Sequence, residues 1–577
     1  MPRGPFSFRI RSPFRQAKQG GTAKSAAPQG KGPSRSTPSD AARDDTPPSS
    51  PSQAPTISQL QAETEEQFLT GSLADNLKRI EELFGHTADL VIREFVLGAD
   101  PPRRAALMQL DGVVDSQFTA TELLSRLRIE TRLAGPFPED RRGSGGPSRR
   151  LRSRSYLEAL ERRALSVTGV IREQRLSAIG TALPAGDTLL LVDGEATGLL
   201  CATQGFVHRP VQEPSSESGV RVPREGFTEV ISINRSLVRR RIRDPRLRFE
   251  QMHIGAVTQT EVNIAYVHGI VDPALVAEVR SRLERIKIDG VLESGYLEAF
   301  ISDHPHSLFP TLRRTERPDT VAAALIEGRV AIFTDGTPFV MMAPVTLPEM
   351  LHASEDYYVH WGLTTFVRFF RYASFAISMF APAVYIALIN YHAEMLPHAL
   401  LHNIAASREG VPFPAALEAI VMLLVFEVLR EAGIRLPRIV GSALTIVGAL
   451  VLGDQTINAG LASPGMVVVV AGTAIASFTI PSYGLDASSR ILRIAYVLSA
   501  ALLGLFGIFV VACLVGMHLC ALRSFGVPYL TPFAPLHVRE LSDTVYGAPW
   551  WSVIKRPRYL SVQEQQRQEP GNKPRPG

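Results

Sequence analysis

Three acidic residues lie within or beside uncharged apolar runs: Glu418, Glu427 and Asp454. A carboxylate at bilayer depth is costly and tends to mark an ion or solute path. These three are therefore the candidate ion path. Glu427 and Glu431 stand four apart, so they share one helical face, with Arg430 beside them. Glu418 is nine residues from Glu427 and points to nearly the opposite face. Asp454, with Gln455 and Asn458, lies just past a short apolar segment. The plainer reading is that Glu427, Glu431 and Arg430 sit at a membrane interface and pair with one another. It is the reading we adopt for Glu431.

Other chemistry finds less support. His398 and His402 stand at i,i+4 with His392 and Glu394 nearby, a metal-like spacing. The Glu of an H-E-x-x-H motif is missing, so an interfacial segment is expected there rather than a metal site. There is no G-x-x-x-x-G-K phosphate loop and no G-x-S-x-G elbow. No acidic pair is singled out by spacing. The expectation is a protein without catalytic residues, metal or cofactor.

The elements that must position the acids are apolar. Five segments separate: Tyr372–Tyr391 with Pro382 inside it, about Val411–Leu429, Ile439–Gly453, Met466–Ile480 and Ile491–Leu522. The first is twenty uncharged residues, which as a helix spans the roughly 30 Å core of a bilayer. The third and fourth are fifteen residues each, short for a crossing and open to a re-entrant course. Arginines flank these segments: Arg368 and Arg371, then Arg430, Arg435 and Arg438, then Arg490 and Arg493, then Arg523 and a basic tail. All prefer the cytoplasm. Five full crossings would leave the tail outside, so one re-entrant segment, giving four crossings, is the alternative.

Before residue 370 the chain is polar and shows signs of duplication. ALMQLDGVVD (Ala106–Asp115) matches NIAYVHGIVD (Asn263–Asp272), and GDTLLLVDG (Gly186–Gly194) matches GRVAIFTDG (Gly328–Gly336). The matches come in the same order, at offsets of 157 and 142 residues. Each is a strand-like run; the first pair ends in an Asp able to cap a helix, the second in an Asp-Gly hairpin turn. Helices are expected over Asp75–Phe84 and Pro273–Ile286, the latter with a Glu278/Arg282 pair. The expected organisation is a disordered basic Pro/Ser-rich tail (1–72), two related α/β subdomains (73–215 and 216–355), a transmembrane domain (356–523) and a C-terminal cytosolic segment (524–577). An Arg-rich flexible insertion is expected at 135–155. The fold class is thus a multi-pass α-helical membrane domain preceded by a cytosolic α/β region.

Charge and cysteine content agree with that picture. The net charge of +5 is small for 577 residues, but residues 1–43 hold nine Lys/Arg against Asp40 alone. Such a tail can meet anionic lipid headgroups or nucleic acid, though a solubilising role is the plainer reading. The run Arg239–Arg241 with Arg243 lacks interleaved aromatics, so a solvated helix face or a subunit contact is expected, not nucleic-acid binding. Cys201, Cys513 and Cys520 form no disulfide or zinc framework. No signal peptide is read at the N-terminus, which fits a cytosolic α/β region.

Motifs from the middle to the C-terminus carry a resemblance. They include REGFTE (Arg224–Glu229), RRRIRDP (Arg239–Pro245), IDGVLESGYLE (Ile288–Glu298), EGRVAIFTDGTPFV (Glu327–Val340), FEVLREAGIRLPR (Phe426–Arg438), ASFTIPSY (Ala476–Tyr483) and HLCALRSFGVPYLTPFAP (His518–Pro535). Together they resemble the A subunit of the GerA-type spore germinant receptors. The resemblance implies a spore inner-membrane protein that triggers germination in response to nutrients. It implies an oligomeric ligand-gated ion channel acting with a transporter-like B subunit and a lipoprotein C subunit. The stage V sporulation AF-type paralogues share most of these motifs, so an accessory protein that stabilises or amplifies receptor signalling without conducting is the alternative. A solute transporter is a third. Many family members carry an acid directly after the Met of the second span; here Leu423 follows Met422.

Overall fold

The structure is a computed structural model that describes residues 67–98, 102–133, 169–205, 221–435 and 453–574, with positions 157, 160, 161, 214 and 217 between them. The expectations for most of the basic tail, the insertion at 135–155 and the third apolar segment lie outside the described residues. In the polar half the chain forms two five-stranded antiparallel sheets. The first contains β1 (Leu90–Leu97), β2 (Arg103–Leu110), β3 (Val170–Glu173), β4 (Asp187–Val192) and β5 (Gly198–Ala202), in the order β1-β2-β4-β5-β3. The second contains β6 (Leu247–Ile254), β7 (Thr260–Val267), β8 (Arg313–Thr315), β9 (Val330–Thr334) and β10 (Val340–Ala343), in the order β6-β7-β9-β10-β8. Both orders are the same once renumbered.

Helices α1 (Leu73–Phe84) and α2 (Leu176–Ala185) serve the first sheet; α3 (Ile231–Arg239), α4 (Pro273–Glu284) and α5 (Pro318–Ile326) serve the second. Separate apolar clusters cover the two faces of each sheet. That explains why β4 and β9 are apolar on both faces rather than alternating. The repetition extends to single hydrogen bonds. The amide of Thr70 donates to Asn76 Oδ1 at 2.8 Å, and that of Thr228 to Asn234 Oδ1 at 2.8 Å. The Leu73 amide opening α1 donates to Asp193 Oδ1 at 3.1 Å, and the Ile231 amide opening α3 to Asp335 Oδ1 at 3.1 Å. Each turn aspartate thus joins its hairpin to a distant helix N-terminus, where an acceptor offsets the helix's unpaired amides. The glycine after each has φ near +87° (88° and 86°), a conformation that disfavours any Cβ. Asp115 and Asp272 cap the next helices, accepting from Phe118 and Ala274 amides at 2.9 Å each.

The two sheet units are pinned together by charge. Arg239, at the end of α3, is wholly buried and donates to both carboxylate oxygens of buried Asp89, at 2.8 and 3.0 Å. For Arg239 this overturns the expectation of a solvated face, whereas Arg240 and Arg241 are half-buried and pair with Glu225. The Arg239 guanidinium contacts the other sheet unit of its own chain.

Among the described residues the apolar half contains α6 (Trp361–Tyr391), α7 (His398–Arg408), α8 (Ala415–Arg435), α9 (Pro464–Ser477) and α10 (Tyr483–Ala521). α6 begins eleven residues before the expected span, capped by the His360 ring. Two of these helices, α6 and α10, are long and apolar enough to cross a bilayer. α10 breaks at Gly504, whose φ of 60° and ψ of −141° no other residue adopts readily. The break turns the chain back. Near its start, Ser488 donates to the Leu308 carbonyl; near its end, His518 Nε2 lies 2.9 Å from Ser307 Oγ. Both ends of α10 therefore reach the same loop of the second sheet unit. The apparent fifth apolar segment is the body of a helical hairpin with Gly504 at its tip. The far end of α6 seals that tip. Tyr391 Oη donates to the carbonyls of Ala501 and Leu502 at 2.6 and 3.1 Å, and His392 Nε2 accepts from the Leu505 amide at 3.4 Å.

Candidate functional site

Two polar clusters lie among the apolar helices. One sits near the sheet units, where α10 begins. Arg430 of α8 donates to Asp486 at 2.9 Å and to Ser477 Oγ of α9 at 2.6 Å. Arg490 pairs with Glu427 of α8 and stands 3.4 Å from Asp486. Arg493, one turn further, donates to the Ser378 carbonyl of α6 at 2.6 Å. Three arginines thus face two carboxylates, and the four helices α6, α8, α9 and α10 meet at these side chains. Arg430 Nε, Asp486 Oδ1 and Arg493 Nη2 are buried without a partner, so the network has spare hydrogen-bonding capacity.

The second cluster lies toward the other ends of the helices. Glu418, at 1 % exposure, accepts from the amide and hydroxyl of Ser463 at 2.6 and 2.7 Å. Arg408, closing α7, is 3.7 Å away. Glu418 Oε2, Arg408 Nη1 and Tyr385 Oη are all buried and make no hydrogen bond. Tyr385 Oη also approaches Gly465, where a Cβ would collide with it. A carboxylate, a guanidinium and a phenol with unmet hydrogen bonds make a site that a water, an ion or a polar solute can complete.

The expected ion-path residues are therefore not brought together. Glu418 belongs to the far cluster and Glu427 to the near one, about 13.5 Å apart along α8. Asp454 is exposed on a short helical turn at 453–458. The expectation that Glu427, Glu431 and Arg430 pair among themselves is corrected. Glu427 takes Arg490, Arg430 takes Asp486, and Glu431 takes Arg435 at 2.6 Å. Asp486, Arg490 and Arg493 were not singled out as site residues from the sequence, although their i,i+4 and i,i+7 spacing was visible. His398 and His402 are exposed on α7.

The foot of α6 is anchored to the polar half. Arg371 donates to both oxygens of Asp356 at 2.7 and 3.1 Å and to the Leu351 carbonyl at 2.9 Å. Arg368, almost wholly buried, pairs with Asp356 at 3.5 Å and Asp543 at 3.5 Å. Beside them, buried His352 holds its Nε2 2.9 Å from the Thr544 carbonyl. Burial, reinforced by the positive charge of Arg368, depresses the His352 pKa well below 6.5.

Paired α/β sheet units followed by an apolar helical half, with two helices long and apolar enough to cross a membrane, define the class of architecture. Residues 78–559 match the family described as Bacillus/Clostridium GerA spore germination protein, and the chain belongs to that family. It is 40 % identical to spore germination protein KA of Bacillus subtilis (strain 168) over 509 residues, covering 88 % of this chain and 90 % of that one. It is 38 % identical to the uncharacterized membrane protein YfkQ of the same organism, covering 86 % and 92 %. It is 36 % identical to spore germination protein GerLA of Bacillus cereus, covering 86 % and 97 %. A crystal structure of the N-terminal domain of the A subunit of the Bacillus megaterium spore germinant receptor GerK3 aligns with 48 % of this chain and 96 % of that one, at 36 % identity and a TM-score of 0.37.

Proposed function

We propose that this chain is a membrane subunit of a nutrient germinant receptor that triggers spore germination. In this reading it assembles into an oligomeric ligand-gated ion channel, with a transporter-like B subunit and a lipoprotein C subunit as partners. It resides in the spore inner membrane with the α/β units in the cytosol, and it carries out no catalysis. The helical hairpin of α10 supports that placement, because it returns the C-terminal segment to the side of the sheet units. Family membership supplies the role in germination. The observation that carries the ion path is Glu418, a buried carboxylate between apolar helices whose Oε2 has no hydrogen bond and only Arg408, at 3.7 Å, as a counter-charge. Glu418, Glu427 and Asp454 would be visited in turn along the helices rather than form one ring. Nutrient binding to a partner would shift a two-state helix arrangement, which requires the nutrient complex to favour one state.

The test is potassium flux from liposomes holding the full assembled receptor. Glu418→Gln keeps an oxygen for Ser463 but removes the charge. It should lower flux about tenfold, the effect of roughly 1.4 kcal/mol on a barrier. Unchanged flux from the assembled variant moves the path elsewhere. A second reading, an accessory protein that amplifies signalling without conducting, is favoured by the pairing of Glu427 with Arg490, which leaves that carboxylate already neutralised. Receptor complexes that conduct equally well without this chain would select it.

A further inference from the structure

Between the second sheet unit and the C-terminal segment lies a cavity of about 350 Å³, within the size range of small-molecule sites. Six Lys/Arg and four Asp/Glu line it. All four acids are engaged. Glu349 is ion-paired with Arg329 and accepts from Tyr559 Oη at 2.8 Å. Glu327 is held by Arg329 and Arg567 at 3.4 and 3.6 Å, and Asp543 by Arg368. Glu540 Oε1 accepts from the Arg558 amide at 2.8 Å. The cations are not all engaged. Among the described residues, Arg539, Lys555 and Arg558 have no carboxylate at ion-pair distance, and all three are exposed on the lining. Three polar atoms of lining residues are also buried and unpartnered: Arg329 Nε, Thr346 Oγ1 and Glu540 Oε2. The first is a donor, the second can do either, and the third accepts. A ligand that completes this lining needs several negative oxygens for the cations and at least one hydroxyl to donate to Glu540.

We propose that this cavity binds a phosphorylated polyol, the phosphoglycerol group that a free glycerol phosphate shares with an anionic lipid headgroup. A bare phosphate would leave most of the volume empty, and a plain dicarboxylate would bring no donor for Glu540. The cavity lies at the anchored foot of α6, because Asp543 on its lining is one of the two carboxylates that hold Arg368. Occupancy there bears directly on the helix that enters the apolar half.

The test uses the full chain purified in detergent, with sn-glycerol 3-phosphate as the probe and the thermal midpoint as the readout. The probe should raise the midpoint of the native chain. The R539Q/K555Q/R558Q variant should keep the unliganded midpoint and bind about tenfold or more weakly, a loss of at least roughly 1.4 kcal/mol. Should that variant not fold, Lys555→Glu alone, at an exposed position, must weaken the response. In nanodiscs, phosphatidylglycerol that blunts the response where phosphatidylcholine does not identifies the lipid headgroup as the source. An equal response in both identifies the free solute. The proposal is overturned if neither probe nor lipid shifts the midpoint, or if the variants respond as the native chain does.

Discussion

Arg239 and Asp89 are both fully buried, and their two hydrogen bonds join α3 to the strand edge of the other sheet unit. Burial alone would raise the Asp89 pKa; the Arg239 charge and the Thr87 hydroxyl outweigh it and hold the carboxyl below its usual range. Removing one partner of a buried pair leaves the other charge uncompensated, so Arg239→Ala should cost about 3–5 kcal/mol. Chemical denaturation of the full chain should show this cost, and a loss below 1 kcal/mol (~ a surface pair) would contradict the buried geometry. His352 behaves in the opposite sense to a histidine that gains a partner. Its folded pKa lies below the unfolded value of 6.5, so the neutral ring contributes stability above pH 6.5 that is lost as pH falls further. The unfolded chain binds one more proton there, and stability should fall by up to about 1.4 kcal/mol per pH unit. A His352→Gln chain should lack that component between its own melts at neutral and mildly acidic pH; an identical pH slope in both chains would refute the assignment.

At the scale of elements, the hairpin of α10 depends on one position. A Cβ at Gly504 would lie 3.0 Å from Tyr391 Cβ and Cγ and 3.1 Å from His392 Nε2, on a backbone already in the region reserved for glycine. Gly504→Ala should therefore destabilise the helical half by roughly 1–3 kcal/mol from backbone strain alone, read as lower yield and midpoint of the detergent-purified chain. Normal yield and midpoint would mean the turn is made differently. Much of this architecture was legible in advance. The paired Asp-Gly turns, the Asp115 and Asp272 caps and the order of the duplicated strands could be read because each signal is local. The Gly504 turn could not, since glycine is common in apolar helices and nothing in Ile491–Leu522 announces a reversal. The partners of Glu427 and Arg430 were equally hidden. They lie 63 and 56 residues away, and only packing decides which of several nearby charges meet. Arg239 was misread for the same reason: its run looks like a solvated face until Asp89, 150 residues earlier, is brought against it.

At the scale of the whole molecule, α6 is held at both ends by different parts of the chain. Its foot is clamped by Asp356, Asp543 and the backbone carbonyls of Leu351 and Asp543, and its far end seals the Gly504 turn. Thirty-one residues of helix make a rod about 46 Å long. The clamp grips α6 at Arg368 and Arg371, about 30 Å short of Tyr391, so a tilt of about 8° around it would sweep the far end by roughly 4 Å, more than the reach of one hydrogen bond. The phenol of Tyr391 could not stay on Ala501 and Leu502 through such a sweep unless the α10 hairpin travelled with it. The rod and the hairpin are geared, and a small angular change among the charges at the base becomes a change of several ångströms at the opposite end of the helical half.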